Sequence, residues 1–269
     1  MNFQSTKRTV CAMSAYAVAA GGAVAQSSAP ASVQEITRAG AQASAAMVTA
    51  SAMNPANAER TLSPKQQAIA PISAATAVGD IPKLNQALNQ GLDAGLTLSE
   101  TKEILVQMYA YAGFPRSLNA LGELMKVVDA RKQRGVQDAP GREAGPVPRG
   151  QELLELGTAN QTQLIGAPAR GPLFEFSPVI DEYLKSHLFG AMFARDNLDW
   201  QSRELATVGA LSAMPGVQSQ LQSHVGFSMN IGLTAEQLRQ LADVLAQRGH
   251  PDAAGRARAA IAQVEAAKK

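Results

Sequence analysis

The chain repeats itself. When its numbering is shifted by 137, Gly79 meets Gly216, Leu84 meets Leu221, and Gly95-Leu96-Thr97 meets Gly232-Leu233-Thr234. Thr97 with Glu100, and Thr234 with Gln237, each fit the S/T-x-x-E/Q capping box that opens a helix. One residue out of that register, Gly113-Phe114-Pro115 meets Gly249-His250-Pro251, a helix break in both stretches. Cap, glycine and break positions coincide in order, so the chain reads as two copies of one helical unit. So small a unit buries little surface alone, and two on one chain are expected to pair as an internal pseudo-dimer. The composition is Ala-rich and poor in aromatics, which suits helices packed closely through small side chains. The expected fold is all-α, two tandem helical repeats, with exposed apolar faces left over for assembly into a homo-oligomer.

The rest of the organisation follows from local signals. Lys7 and Arg8 precede an uncharged run that ends in Ala23-Val24-Ala25, the layout of a secretory signal peptide over residues 1–25. This places the mature protein in the periplasm or outside the cell, with no membrane attachment after cleavage. Residues 26–60 are rich in Ala, Ser, Gln and Asn and read as a flexible or weakly helical arm. The first repeat is 61–134. Its pattern breaks at Gly79-Asp80 and Gly95, then places Ile104, Leu105, Met108 and Ala112 on one apolar face. Residues 135–172 form a linker, Gly/Pro-rich at first, with a short helix in QELLELGTANQTQLIG. The second repeat is 173–266, where Val179, Tyr183, Leu184 and Leu188 are spaced as one helix face. The net charge of +2, without a basic stripe interleaved with aromatics, argues against nucleic acid as a partner.

Chemistry has few residues to work with. Cys11 is the only cysteine and lies in the signal, so the mature chain has no thiol to react or to pair. Three scattered histidines make no ligand cluster, so no metal is expected, and no glycine loop or nucleophile elbow implies a cofactor. The second copy has Glu204 and His224 where the first has Gln67 and Ala87. RELATVGALSAM and QSQLQSHVGFSMNIG read as two helices joined by a tight turn. At about 1.5 Å per residue, Glu204 and His224 fall about one turn out of level across that hairpin. A carboxylate there fixes the imidazole tautomer and makes a usable general acid and base; the same spacing also fits an exposed ion pair worth little. Arg203 is a candidate contact for a substrate carboxylate. Trp200 packs either the entrance or the core. Tyr109 and Tyr111 flank an apolar helix and offer hydroxyls to a pocket, with Tyr111 the candidate substrate contact. His187 and His250 read as surface residues.

Two stretches together resemble a known family. WQSRELATVGALSAMPGVQSQLQSHVGFSMNIGLT and LNQGLDAGLTLSETKEILVQMYAYAGFPRSLNAL are similar to the carboxymuconolactone decarboxylase family, with the glycine-leucine-threonine cap and the YAGFP-like break matching in order. The resemblance implies an all-α fold assembled in rings, here a trimer of two-repeat chains. It implies one of two chemistries. One is cofactor-free decarboxylation of a lactone carboxylate by acid/base groups; the other is peroxidase chemistry at a Cys-x-x-Cys pair beside a Glu and a His. In that second branch the cysteines lie seven and four residues before the histidine, where this chain has Val217 and Gln220, while the Glu and His correspond to Glu204 and His224. The expected activity is therefore proton transfer or decarboxylation on a small carboxylate or lactone, with His224 and Glu204 catalytic. The expectation of another class is a non-catalytic oligomeric binder or scaffold on the same fold.

Overall fold

Two helices are buried on every side over most of their length, which makes them the interior of the fold. They are α1 (Pro64–Val78), buried continuously from Ile69 to Ala77, and α9 (Trp200–Ala213), buried from Ser202 to Ala213. They pack against each other as the centre of the molecule. The structure, a computed structural model, describes residues 61–267. The signal peptide and arm expected over residues 1–60 lie outside the described residues. Among the described residues all regular structure is helical, and no helix is long and apolar enough to cross a membrane.

Around α1 the first repeat places α2 (Ile81–Asp93), α3 (Leu98–Gln107), the single turn α4 (Tyr109–Ala112) and α5 (Phe114–Gln133). Around α9 the second repeat places α10 (Gln218–Asn230), α11 (Ala235–Gln247) and α12 (Pro251–Ala267). α1, α2 and α5 correspond to α9, α10 and α12, and α3 together with the turn α4 corresponds to α11. Both capping boxes form, with the Thr97 and Thr234 side chains accepting from the backbone N–H of Glu100 and Gln237. Gly95 and Gly232, just before those caps, have φ of 93° and 97°, a conformation that a Cβ disfavours.

The two copies share one core. Leu84, Leu88, Ile104 and Leu105 of the first pack in the same cluster as Leu205, Val208, Leu221 and Leu241 of the second. This is the expected internal pseudo-dimer. Its centre depends on small residues: a Cβ on Gly209 would lie 2.8 Å from both the Cα and the O of Ala70. Ser63 and Asp199 cap α1 and α9 through the backbone N–H of Gln66 and Ser202, which puts these two helices in a register of 136 rather than 137. Glu204 therefore corresponds to Ala68, one place beyond the Gln67 that the sequence alignment assigned.

One expectation is filled out and another needs correction. The stretch set aside as linker contains α6 (Gly150–Ile165), longer than a short helix, and it packs within the second repeat. The face drawn through Val179, Tyr183, Leu184 and Leu188 does not persist. After α7 (Pro172–Phe176) and α8 (Pro178–Tyr183) the chain winds as a π-helix over Leu184–Met192. The wider turn changes which residues share a side, so Leu188 is buried while Val179 and Tyr183 are exposed. The π-helix lies against α6 so closely that a Cβ on Gly157 would sit 1.7 Å from the Lys185 carbonyl oxygen. Asn160 of α6 donates to the Phe189 carbonyl at 2.8 Å, satisfying an acceptor of the irregular helix. The residues before α6 are tied down as well. Leu98 and Ser99, at the start of α3, donate their N–H groups to Ala139 and Pro140.

Candidate active site

Glu204 and His224 meet. The α9–α10 hairpin turns over Met214–Val217 and brings the Glu204 carboxylate to 2.8 Å from His224 Nδ1. The expected offset of a turn is taken up, and the contact is direct. Nor is this an exposed ion pair: Glu204 is fully buried and the His224 side chain is 10% exposed. The carboxylate accepts from Nδ1–H, and in a neutral imidazole that places the lone pair on Nε2. Among the described residues Nε2 has no protein hydrogen-bond partner. The imidazole is gripped edge-on by two rings, Tyr111 at 5.6 Å and Phe227 at 5.1 Å between centroids. The Ser228 hydroxyl donates to the His224 carbonyl at 2.7 Å, which steadies the helix beneath the ring.

Two buried polar atoms here are left over. Glu204 Oε1 and the Tyr111 hydroxyl are both inaccessible and have no hydrogen-bond partner. Native structures carry few such atoms, because each costs about 1–3 kcal/mol when unpaired. Burial first, and the Glu204 charge second, push the Tyr111 phenol well above its ordinary range, against the opposing pull of the nearby Thr207 hydroxyl and the Arg203 charge, so it stays protonated and can donate. Tyr111 comes from the other repeat, as the last turn before the Gly113 break. The site is thus roofed across the pseudo-dimer.

Arg203, expected to meet a substrate carboxylate, is not available for it. It is fully buried; its guanidinium donates to Glu103 at 2.9 Å, to Gln107 Oε1 at 3.1 Å and to the Arg195 carbonyl at 2.6 Å. Glu103 is 2% exposed and also accepts from Arg195 and Asn197. The reason is geometric: Arg203 and Glu204 are neighbours on α9 and point to different sides, Arg203 toward α3. Trp200 packs edge-on against Phe193 at 5.6 Å, in the second apolar cluster with Leu164 and Phe189. It supports that cluster, and its ring contact is not with the dyad. Tyr109 stacks on Phe114 at 4.5 Å and lies beside exposed His187. His250 is buried, against the surface expectation: the chain turns at Gly249, and the His250 N–H returns to the Leu245 carbonyl at the end of α11.

Val217 and Gln220 occupy the two positions that would hold sulfur in the redox branch. Val217 immediately precedes α10, and Gln220 is exposed with only the neighbouring Ser219 hydroxyl on its amide. Neither can carry thiol chemistry. Among the described residues no group of three or more His, Cys, Asp or Glu could hold a metal ion.

The profile of the carboxymuconolactone decarboxylase family matches residues 42–125 and again 178–266, which is more than half of the chain. The chain belongs to the carboxymuconolactone decarboxylase family. It carries the family unit twice in tandem, and the two matches begin at corresponding points of the repeat. No curated protein matches the chain. Within this family member only the second unit holds the Glu–His pair; the first has Ala68 and Ala87 in its place.

Proposed function

We propose that this carboxymuconolactone decarboxylase family member catalyses cofactor-free proton transfer on a small lactone or enolisable carbonyl compound, with His224 as the base and acid. One observation carries the reading: a buried Glu204–His224 pair lies beside two buried polar atoms, Glu204 Oε1 and the Tyr111 hydroxyl, that the protein leaves unsatisfied. In this scheme Glu204 holds Nδ1–H and so presents the Nε2 lone pair. Nε2 takes a proton from carbon next to the carbonyl. The neutral Tyr111 phenol donates to the oxygen on which charge develops, and His224 then returns the proton to a different carbon. Loss of CO₂ from a lactone carboxylate is the same chemistry with a different leaving group. Arg203 is committed elsewhere and Glu204 is itself a carboxylate, which favours a neutral lactone over an anionic substrate.

The test is deuterium incorporation from solvent into a series of butenolides, followed by proton NMR. His224→Ala is expected to lower the rate about 10²–10⁴-fold, and Tyr111→Phe to lower it less. Unchanged rates in His224→Ala would remove this mechanism. A second reading, a non-catalytic binding or scaffold protein, is favoured by one observation: none of the five cavities described for the chain is lined by Glu204 or His224. Butenolides that bind the wild-type protein without any exchange support that reading.

Two further proposals concern the setting. The basic start, apolar run and Ala23-Val24-Ala25 support export to the periplasm or beyond. Phe114, Leu118 and Met125 form an apolar stripe on α5, each more than 60% exposed. This supports self-association of two-repeat chains, for instance as a trimer. Light scattering on the mature protein measures it directly.

A further inference from the structure

The place in the first repeat that corresponds to the dyad is hollow. Ala68 and Ala87 stand where the second repeat has Glu204 and His224, and they line a cavity of about 160 Å³ between α1 and α2. Its outer wall comes from the opposite repeat, as the roof of the dyad does. There the roof is Tyr111 before the Gly113 break; here the wall is Gln247 and Arg248 before the Gly249 break. An adjoining space of about 340 Å³ shares Gln90, Gln247 and Arg248 with it and adds Lys83 and His250. No Asp or Glu lines either space. Lys83 already has a counter-charge, Asp80 at 3.1 Å. Arg248 does not: among the described residues its guanidinium has no hydrogen-bond or ion-pair partner, and the amides of Gln90 and Gln247 have none either.

We propose that this cavity is a second ligand site, specific for a small carboxylate with a short aliphatic body. The carboxylate is held by Arg248, whose fork matches its geometry, with amide donors from Gln90 and Gln247. The aliphatic part rests on Ala68, Pro71 and Ala87. Where the second repeat has an acid/base pair the first has room, and the cation that meets an anion in this molecule belongs to the hollow site rather than to the dyad. The site is a binding site alone, since no acid or base replaces the lost pair at Ala68 and Ala87.

Calorimetric titration of the mature protein with butyrate tests this. Saturable binding is expected. Acetate, two methylenes shorter, is expected to bind roughly tenfold more weakly. Arg248→Gln should weaken butyrate about tenfold or more. Ala87→Leu should abolish binding while raising Tm, because it fills the space without disturbing the fold. His224→Gln should leave butyrate affinity unchanged, which separates this site from the dyad. Absence of saturable binding, equal affinity in Arg248→Gln, or loss of binding in His224→Gln each overturns the proposal. So does an Ala87→Leu protein that is more stable and still binds butyrate at wild-type affinity.

Discussion

The two repeats have the same backbone and different interiors. Helices α2 and α10 begin and end at corresponding residues, and the Thr97 and Thr234 boxes are built alike. Yet between the first two helices of one repeat lie a carboxylate and an imidazole in contact, and between those of the other lies a cavity with Ala68 and Ala87 in its lining. The polar seams differ too. Along α3 and α9, Glu103 binds Arg203 and Arg195; at the corresponding place in the other half, neutral Gln240 accepts from the Leu62 N–H at 2.7 Å. Backbone architecture in this molecule is set by caps, glycines and small residues, which both copies retain. Charge is set by a few side chains: the dyad lies on the second copy alone, and the Glu103–Arg203 pair has no charged counterpart at Gln240. The two kinds of information have separated.

The largest expected effect tests the charged seam. Arg203→Ala removes the fully buried partner of Glu103 and should cost about 3–5 kcal/mol, read from urea unfolding. Gln240→Ala in the neutral seam should cost only about 1 kcal/mol. Equal losses would show that the halves do not differ in what holds them. Next comes the central crossing. Gly209→Ala drives a Cβ to 2.8 Å from the Ala70 backbone, and overpacking of this kind costs about 1–3 kcal/mol. Its counterpart Ser73→Ala removes one hydroxyl that donates to the Ala70 carbonyl, and should cost less than Gly209→Ala on the same urea scale. A Ser73→Ala loss as large would mean that the crossing is held by the hydroxyl, not by closeness of approach.

The smallest effect concerns the two breaks, where one repeat has Phe114 and the other His250. Burial first, and Lys83 second, hold His250 below its ordinary value of 6.5, with Asp80 opposing. A histidine whose folded pKa is depressed adds stability above 6.5, and that stability is lost as pH falls through the lower folded value. Wild-type Tm should therefore drop more steeply between about pH 8 and pH 5 than that of His250→Gln. Parallel Tm curves for the two proteins would assign the acid sensitivity to other groups.

Much of this architecture was legible in the sequence because its signals are local. A cap needs four residues, and a positive-φ glycine needs one. The Glu204–His224 contact was within reach of the same reasoning, since a helical hairpin with a short turn fixes which levels face each other. Arg203 was misread because its partner, Glu103, lies a hundred residues away on the other copy, and no periodicity on α9 tells a buried arginine from a substrate contact. The π-helix escaped for a related reason. Apolar spacing assumes about 3.6 residues per turn, and Leu184–Met192 abandons that spacing where it docks on Gly157. The hollow in the first repeat is visible only once the register of α1 and α9 is corrected by one residue.

Tyr111 closes the site of a repeat to which it does not belong. This makes the ancient doubling of the chain hard to undo. A gene trimmed back to its second half would still encode Glu204 and His224, but the imidazole would lose one of its two flanking rings. The half without a dyad is therefore part of the enclosure of the half that has one.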